Sequence, residues 1–223
     1  VQDFLLTDAR LPRRHKLYQG DAQGRFKDMG EALGFTPENV FIATWVDIDG
    51  DGWEDVVVNS GQIFCNLQGE KFKEVTSQSN LMEVGDLQRL GAFTYHAVAD
   101  YDGDGRMDIY LFRVDSQPFK GTWIDGKVGH NAGNQLLRNK GGWQFEDVTK
   151  KTRTGGGMRS TFSSVWFDAN NDNRPDLYVI HEYGNGVLLI NKPDGTFEER
   201  ELADRAADFG SMGLASGDID NDG

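Results

Sequence analysis

The chain has 223 residues, with 23 basic against 36 acidic side chains, a formal net charge of −13, and 38% hydrophobic and 11% aromatic residues. This balance excludes a nucleic-acid surface, which needs clustered Lys and Arg, and supports a packed domain over a disordered acidic tail. The 28 glycines against 5 prolines imply many turns, the longest apolar runs (56–58 and 187–190) fall far below the ~20 residues that cross a bilayer, and one cysteine, Cys65, precludes an internal disulfide.

Along the chain, Leu17-Tyr18-Gln19-Gly20 followed by Phe26 reads as strand, turn, strand. The spacing returns in Ile63-Phe64-Cys65-Asn66 with Phe72, in Leu136-Leu137-Arg138-Asn139 with Phe145, and in Leu188-Leu189-Ile190-Asn191 with Phe197. In each, the Asn, or Gly20 in its place, precedes the Phe by six residues.

Ahead of the last three hairpins stands a second repeated unit. Apolar runs Phe41–Val46, Phe93–Ala99 and Phe162–Phe167 lead into acidic loops, and Val56–Val58, Ile109–Phe112 and Leu177–Ile180 lead out. The exits are short β-branched or aromatic runs without helical period, so they read as strands. Four strands per unit of about 40 to 50 residues predict an all-β chain, a β-propeller of four-stranded blades. The expected division of the single propeller domain 1–223 is the end of a partial blade at 16–36, blades at 41–76, 92–149 and 161–200, and the start of another partial blade at 209–223. An insertion is expected at 113–133 within the second full blade. On this reading the chain is part of a longer protein; a closed four-bladed ring would require its two ends to share a blade.

The loops themselves carry the chemistry. They read Asp47-Ile-Asp49-Gly-Asp51-Gly52-Trp53-Glu-Asp55, Asp100-Tyr-Asp102-Gly-Asp104-Gly105-Arg106-Met-Asp108, Asp168-Ala-Asn170-Asn-Asp172-Asn173-Arg174-Pro-Asp176 and, at the chain end, Asp218-Ile-Asp220-Asn-Asp222-Gly223. Acid or amide stands at positions 1, 3, 5 and 9, so that alternate side chains of a tight loop converge on one centre. With the carbonyl at position 7 (Trp53, Arg106, Arg174) and water, these oxygens match the six to eight hard ligands of calcium. Gly at position 6 supplies a left-handed turn, which Asn173 adopts at a small cost. An EF-hand needs a bidentate Glu at position 12 between helices, but position 12 is Val58, Leu111 and Val179, and strands flank the loops. Zinc and copper lack their His or Cys ligands here, and magnesium usually takes only one or two carboxylates. About four calcium sites are expected, the last completed beyond residue 223. They would relieve the mutual repulsion of the clustered carboxylates. The Asp168 loop is expected to be the weakest complete site, with three carboxylates against four in the Asp47 and Asp100 loops.

Elsewhere the chemistry is sparser. His15, His96, His130 and His181 show no ligand or triad spacing, Cys65 alternates within a strand as a small buried hydrophobe, and Trp45 and Trp166 read as core between blades. Gly155-Gly156-Gly157 lacks the Lys-Ser/Thr end of a phosphate-binding loop. The insertion 113–133, with Phe119, Trp123 and Lys127, is the expected binding face, because long loops on rigid scaffolds tend to carry function.

The Asp-x-Asp-x-Asp-Gly-x-x-Asp loops between strands, each followed by the Asn-to-Phe hairpin, resemble the FG-GAP or VCBS repeats of integrin-α-type propellers. Phe145–Thr149 and Met212–Gly223 are most similar to the propeller of ASPIC/UnbV-type, cartilage acidic protein-like chains. The resemblance spans about residues 16–223 and implies a seven- or eight-bladed, calcium-stabilised propeller outside the cytoplasm: extracellular, on the cell surface or periplasmic. The expected function is a non-enzymatic interaction, adhesion or assembly module for a protein or glycan partner. The rival expectation is a carbohydrate-active propeller, a polysaccharide lyase or lectin.

Overall fold

Short runs of β-branched and aromatic residues between glycine-marked turns form fifteen strands among the described residues. The computed structural model describes residues 3–6, 15–38, 40–87, 92–115, 133–157, 159–181, 185–201 and 213–217. The chain divides into two units, residues 1–88 with 140–145 and residues 89–139 with 146–223.

In the first unit, β1 (Phe4–Leu6), β2 (Lys16–Gly20) and β3 (Phe26–Asp28) form a three-stranded antiparallel sheet. The sequence reading began this blade at residue 16 and missed β1, whose three residues are too few to show a period. Register places β1 as the equivalent of the lead-out strands. Leu5 pairs with Leu17 as Val57 pairs with Ile63, which puts Asp3 in the place of Asp55. Asp3 Oδ1 accepts the Gly20 N–H at 3.0 Å. The next sheet runs in chain order through β4 (Ala43–Val46), β5 (Asp55–Val58), β6 (Ile63–Asn66) and β7 (Phe72–Glu74). A one-turn helix, α1 (Leu81–Val84), follows. Leu17, Phe35, Val40, Val56, Val58 and Phe64 are the buried centre of this unit, with Trp45 and Phe72 packed against them. Phe35 is wedged edge-on between Phe64 and Phe72, with centroids at 4.8 and 5.4 Å.

The second unit repeats the plan. One sheet comprises β8 (Ala92–Ala99), β9 (Asp108–Asp115), β10 (Gln135–Asn139) and β11 (Phe145–Asp147); after the helical turn α2 (Thr149–Thr152), another comprises β12 (Thr161–Phe167), β13 (Asp176–His181), β14 (Val187–Asn191) and β15 (Phe197–Glu201). Its core joins Tyr110, Phe112, Leu136, Leu177, Val179, Leu189 and Phe197, with Trp166 against them. Trp166 meets Phe197 at 6.1 Å, as Trp45 meets Phe72 at 6.1 Å. The hairpin residues Phe72 and Phe197 and the Trp residues before the first and third loops thus serve one purpose, filling the sheet face.

Two boundaries shift. The insertion expected at 113–133 is narrower, because β9 continues to Asp115 and Arg113 is fully buried. Its guanidinium donates to Gly133 O at 2.8 Å and to Gln135 Oε1 at 2.5 Å, so both rims of the insertion are tied to the sheet. Residues 116–132, which include Phe119, Trp123 and Lys127, lie outside the described residues, as do Asp218, Asp220 and Asp222. Residues 213–217 form no strand.

Candidate metal centres in the acidic loops

Each complete loop bridges a paired strand end. Val46 pairs with Asp55, Ala99 with Asp108 and Phe167 with Asp176, so the ninth-position acid is the first residue of the lead-out strand. That register carries Asp55, Asp108 and Asp176 into the sheet, where all three are buried.

A buried carboxylate demands donors, and the loop supplies the same ones each time. One oxygen accepts the N–H of position 2: Ile48, Tyr101 or Ala169, each at 3.1 Å. The other accepts the N–H of the hairpin Asn: Asn66 at 2.8 Å, Asn139 at 2.7 Å or Asn191 at 2.7 Å. The Asn side chain then donates to the carbonyl at position 8, Glu54 at 3.0 Å, Met107 at 3.1 Å or Pro175 at 3.2 Å. This explains the repeated Asn, a residue the spacing had marked without a reason. Asn191 reaches further, donating also to Tyr101 O at 2.8 Å.

Position 1 closes the loop from the other side. Asp47 accepts the N–H groups of Gly50, Asp51 and Gly52 at 2.9 to 3.1 Å. Asp100 accepts those of Asp104 and Gly105, and Asp168 those of Asp172 and Asn173. Such a tight turn needs left-handed backbone at position 6, as expected, with φ of 89° at Gly52, 84° at Gly105 and 63° at Asn173. It needs it also at position 4, where Gly50, Gly103 and Asn171 have φ of 77°, 71° and 57°. The Asp168 loop therefore bears the non-glycine cost twice.

The outcome is two carboxylate triads. Asp47, Asp49 and Asp55, and likewise Asp100, Asp102 and Asp108, each bring one oxygen within 4.8 Å of the other two. Among the described residues the Asp168 loop forms no such triad, since Asn170 replaces the third acid. The fifth-position acids stand outside both triads. Asp104 is ion-paired to the Arg106 guanidinium and Asp172 to that of Arg174, side chains considered beforehand only for their carbonyls. An all-oxygen set of converging carboxylates suits a hard divalent cation.

Electrostatics agree. Burial raises the Asp55 carboxyl to about 6 and the Asp108 carboxyl to about 7, outweighing two N–H donors each, and raises Asp176 in the same sense. Burial, then the charge of Asp51, raises Asp49 as well. A cation would reverse these shifts by favouring the ionised form. Near the first triad, Cys65 Sγ lies 3.8 Å from Asp49 Oδ2, and burial drives the thiol up to about 12.

Among the described residues no histidine joins the triads. His181 is buried with Nδ1 3.1 Å from Thr161 Oγ1, and burial lowers it to about 3, so the ring is neutral. His15 packs edge-on to Phe35, and His130 lies outside the described residues. No described helix is long and apolar enough to cross a membrane.

Comparison with known proteins follows the same lines. A family model described as an FG-GAP-like repeat matches residues 168–223, beginning at the first acid of the third loop. A comparison with curated proteins gives no match. Among solved structures, the chain is similar to a lectin of Agrocybe aegerita that recognises non-reducing terminal N-acetylglucosamine, with a TM-score of 0.53 and 19% identity over 84% of this chain and 46% of the lectin. The chain thus spans less than half of that neighbour, and the likeness is one of fold. The four-stranded antiparallel meanders are thus those of β-propeller blades, and residues 168–223 match the FG-GAP-like repeat.

Proposed function

We propose that the chain is a calcium-binding propeller module that presents a rigid, metal-ordered surface to a protein or glycan partner outside the cytoplasm. The observation that carries this reading is the pair of triads at equivalent places in two blades, Asp47/Asp49/Asp55 and Asp100/Asp102/Asp108. Calcium supplies positive charge there and nothing redox-active. The chain's own residues hold the carboxylates at the loop mouth, with the Asn clamps fixing position 9 and backbone N–H groups fixing position 1. Asp51, Asp104 and the position 7 carbonyls of Trp53 and Arg106 are offered as further ligands. The Asp168 loop, with Asn170, Asp172, Arg174 and Asp176, is a poorer version, and Asp218, Asp220 and Asp222 would begin a fourth.

A location outside the cytoplasm suits sites of this kind. Loops of extracellular modules hold calcium with constants of about 0.1 to 1 mM, so they fill outside the cell and empty at cytosolic micromolar levels. Adhesion or assembly is the proposed role, without catalysis. Calcium titration by calorimetry tests the metal reading, with Asp47→Ala expected to remove a stronger site and Asp100→Ala a weaker one; heat unchanged in both variants refutes it.

A second reading, recognition or cleavage of carbohydrate, takes its support from the lectin neighbour. A glycan array and a lyase assay on acidic polysaccharides separate the two. Turnover abolished by a single substitution would replace the non-catalytic reading.

A further inference from the structure

The two triads share backbone and acids, yet differ in the residue that the hairpin strand points at them. The residue before the clamp Asn is Cys65 on β6, Arg138 on β10 and Ile190 on β14. Cys65 offers Asp49 a neutral thiol. Arg138 instead forms an ion pair with Asp102, Nε 2.6 Å from Oδ2 without hydrogen-bond alignment, and donates Nη2 to Asp104 Oδ2 at 2.9 Å, so one guanidinium spans positions 3 and 5 of the Asp100 loop. Arg106 adds a second guanidinium, held by Asn139 O at 3.0 Å and paired with Asp104. In the Asp47 loop the counterpart of Arg106 is Trp53.

We infer that Arg138 is a tethered cation that takes the place of metal charge in the Asp100 loop, leaving the Asp47 loop as the calcium-responsive one. This rests on the calcium reading above and assigns its regulation. Four aspartates with two paired arginines leave a formal −2 at the Asp100 loop, whereas four aspartates and Glu54 with Trp53 and Cys65 leave −5 at the Asp47 loop. Divalent-ion affinity in such loops follows ligand charge, so the Asp47 loop fills first. Arg suits the tethered role because its planar fork binds two carboxylates at once and it never loses its proton. The Asp100 loop is therefore ordered with or without metal, and a calcium ion must displace the guanidinium from Asp102 to enter.

The test uses the 223-residue chain, calcium alone as the probe, and calorimetry in an Asp47→Ala, Asp168→Ala, Asp218→Ala background so that the Asp100 loop is the site observed. Arg138→Gln should tighten calcium binding there about tenfold, while Arg138→Lys, which keeps the charge, should leave it weak. With chelator present, Arg138→Gln should lower Tm, and with calcium it should regain most of the loss. Arg138→Ile, carrying the residue of the sister strand β14, serves as a second variant if the Gln form folds poorly. Calcium bound by the Asp100 loop with an affinity that neither Arg138→Gln nor Arg138→Ile changes would overturn the tethered-cation role while sparing the metal reading. Absence of calcium heat in wild type and in both neutral variants would instead overturn the metal reading, and this inference with it.

Discussion

Asn191 ties two acidic loops together, and its removal gives the sharpest test of the clamp. Asn191→Ala deprives Tyr101 O and Pro175 O of their donor, and these are position 2 of the Asp100 loop and position 8 of the Asp168 loop. Tyr101 and Asn191 are buried, so the Tyr101 carbonyl gains no water in exchange. A buried acceptor left unpaired costs about 1–3 kcal/mol, and the half-buried Pro175 carbonyl costs less, which sums to about 3 kcal/mol. That is about two decades in the folding equilibrium. Asn66→Ala is the internal control, because its side chain donates to Glu54 O and Glu54 is exposed. The Asn66 side chain also accepts the Gly69 N–H at 2.8 Å, so the expected cost is about 1–2 kcal/mol, two net hydrogen bonds with water able to replace each partner. Denaturant unfolding in calcium and in chelator measures both variants, with the slope watched for loss of two-state behaviour. Equal costs for Asn66→Ala and Asn191→Ala, or a cost below about 0.5 kcal/mol for Asn191→Ala, would refute the bridging account.

Other outcomes follow from the same loops. At about 1 mM calcium and a site constant near 0.1 mM, each filled site should add RT ln 11, or ~1.4 kcal/mol, so chelator should lower Tm; a Tm indifferent to chelator contradicts this. The Asp168 loop should bind calcium more weakly than the Asp47 loop, and Asn170→Asp with Asn171→Gly and Asn173→Gly should strengthen it by adding a ligand and removing two non-glycine left-handed residues at about 1 kcal/mol each; titration with the other loops disabled decides. Asp55 and Asp108 titrate near 6 and 7 in the folded metal-free chain, above their ordinary 3.8, so they favour the fold fully below about pH 3.8 and lose that contribution as pH rises through 6 to 7. Calcium reverses the loss by binding the carboxylates, so the Tm difference between calcium and chelator should widen from pH 5 to pH 8, and a constant difference would count against these shifts. Cys65, buried with its thiol near 12, should resist alkylation at pH 8 until the chain unfolds, which mass spectrometry of native and denatured samples will show.

Much of this was legible locally. Strand, turn and loop places came from alternation, glycine and Asp spacing, because a two-residue period and a left-handed turn are decided by neighbours in sequence. Each lead-in, acidic loop, lead-out and hairpin from residue 41 to 200 recurs in the sheets, and the Asp-x-Asp spacing marked both triads. What the sequence left open involves residues brought together by register. β1 has only three residues, and its identity as a lead-out strand shows only through its pairing with Leu17. The clamp Asn meets an acid 11, 31 or 15 residues back, and the reason for its recurrence is visible only when β-ladders set the two side by side. Counting charges along the loop ranked Asp47 and Asp100 as equals, but pairing of β10 with β9 delivers Arg138 onto Asp102 and Asp104, 36 and 34 positions away. Sequence alone determined which residues make the loops, because loop conformation is local. Only the tertiary structure decided what faces them, because cross-strand register, not spacing along the chain, chooses a carboxylate's partner.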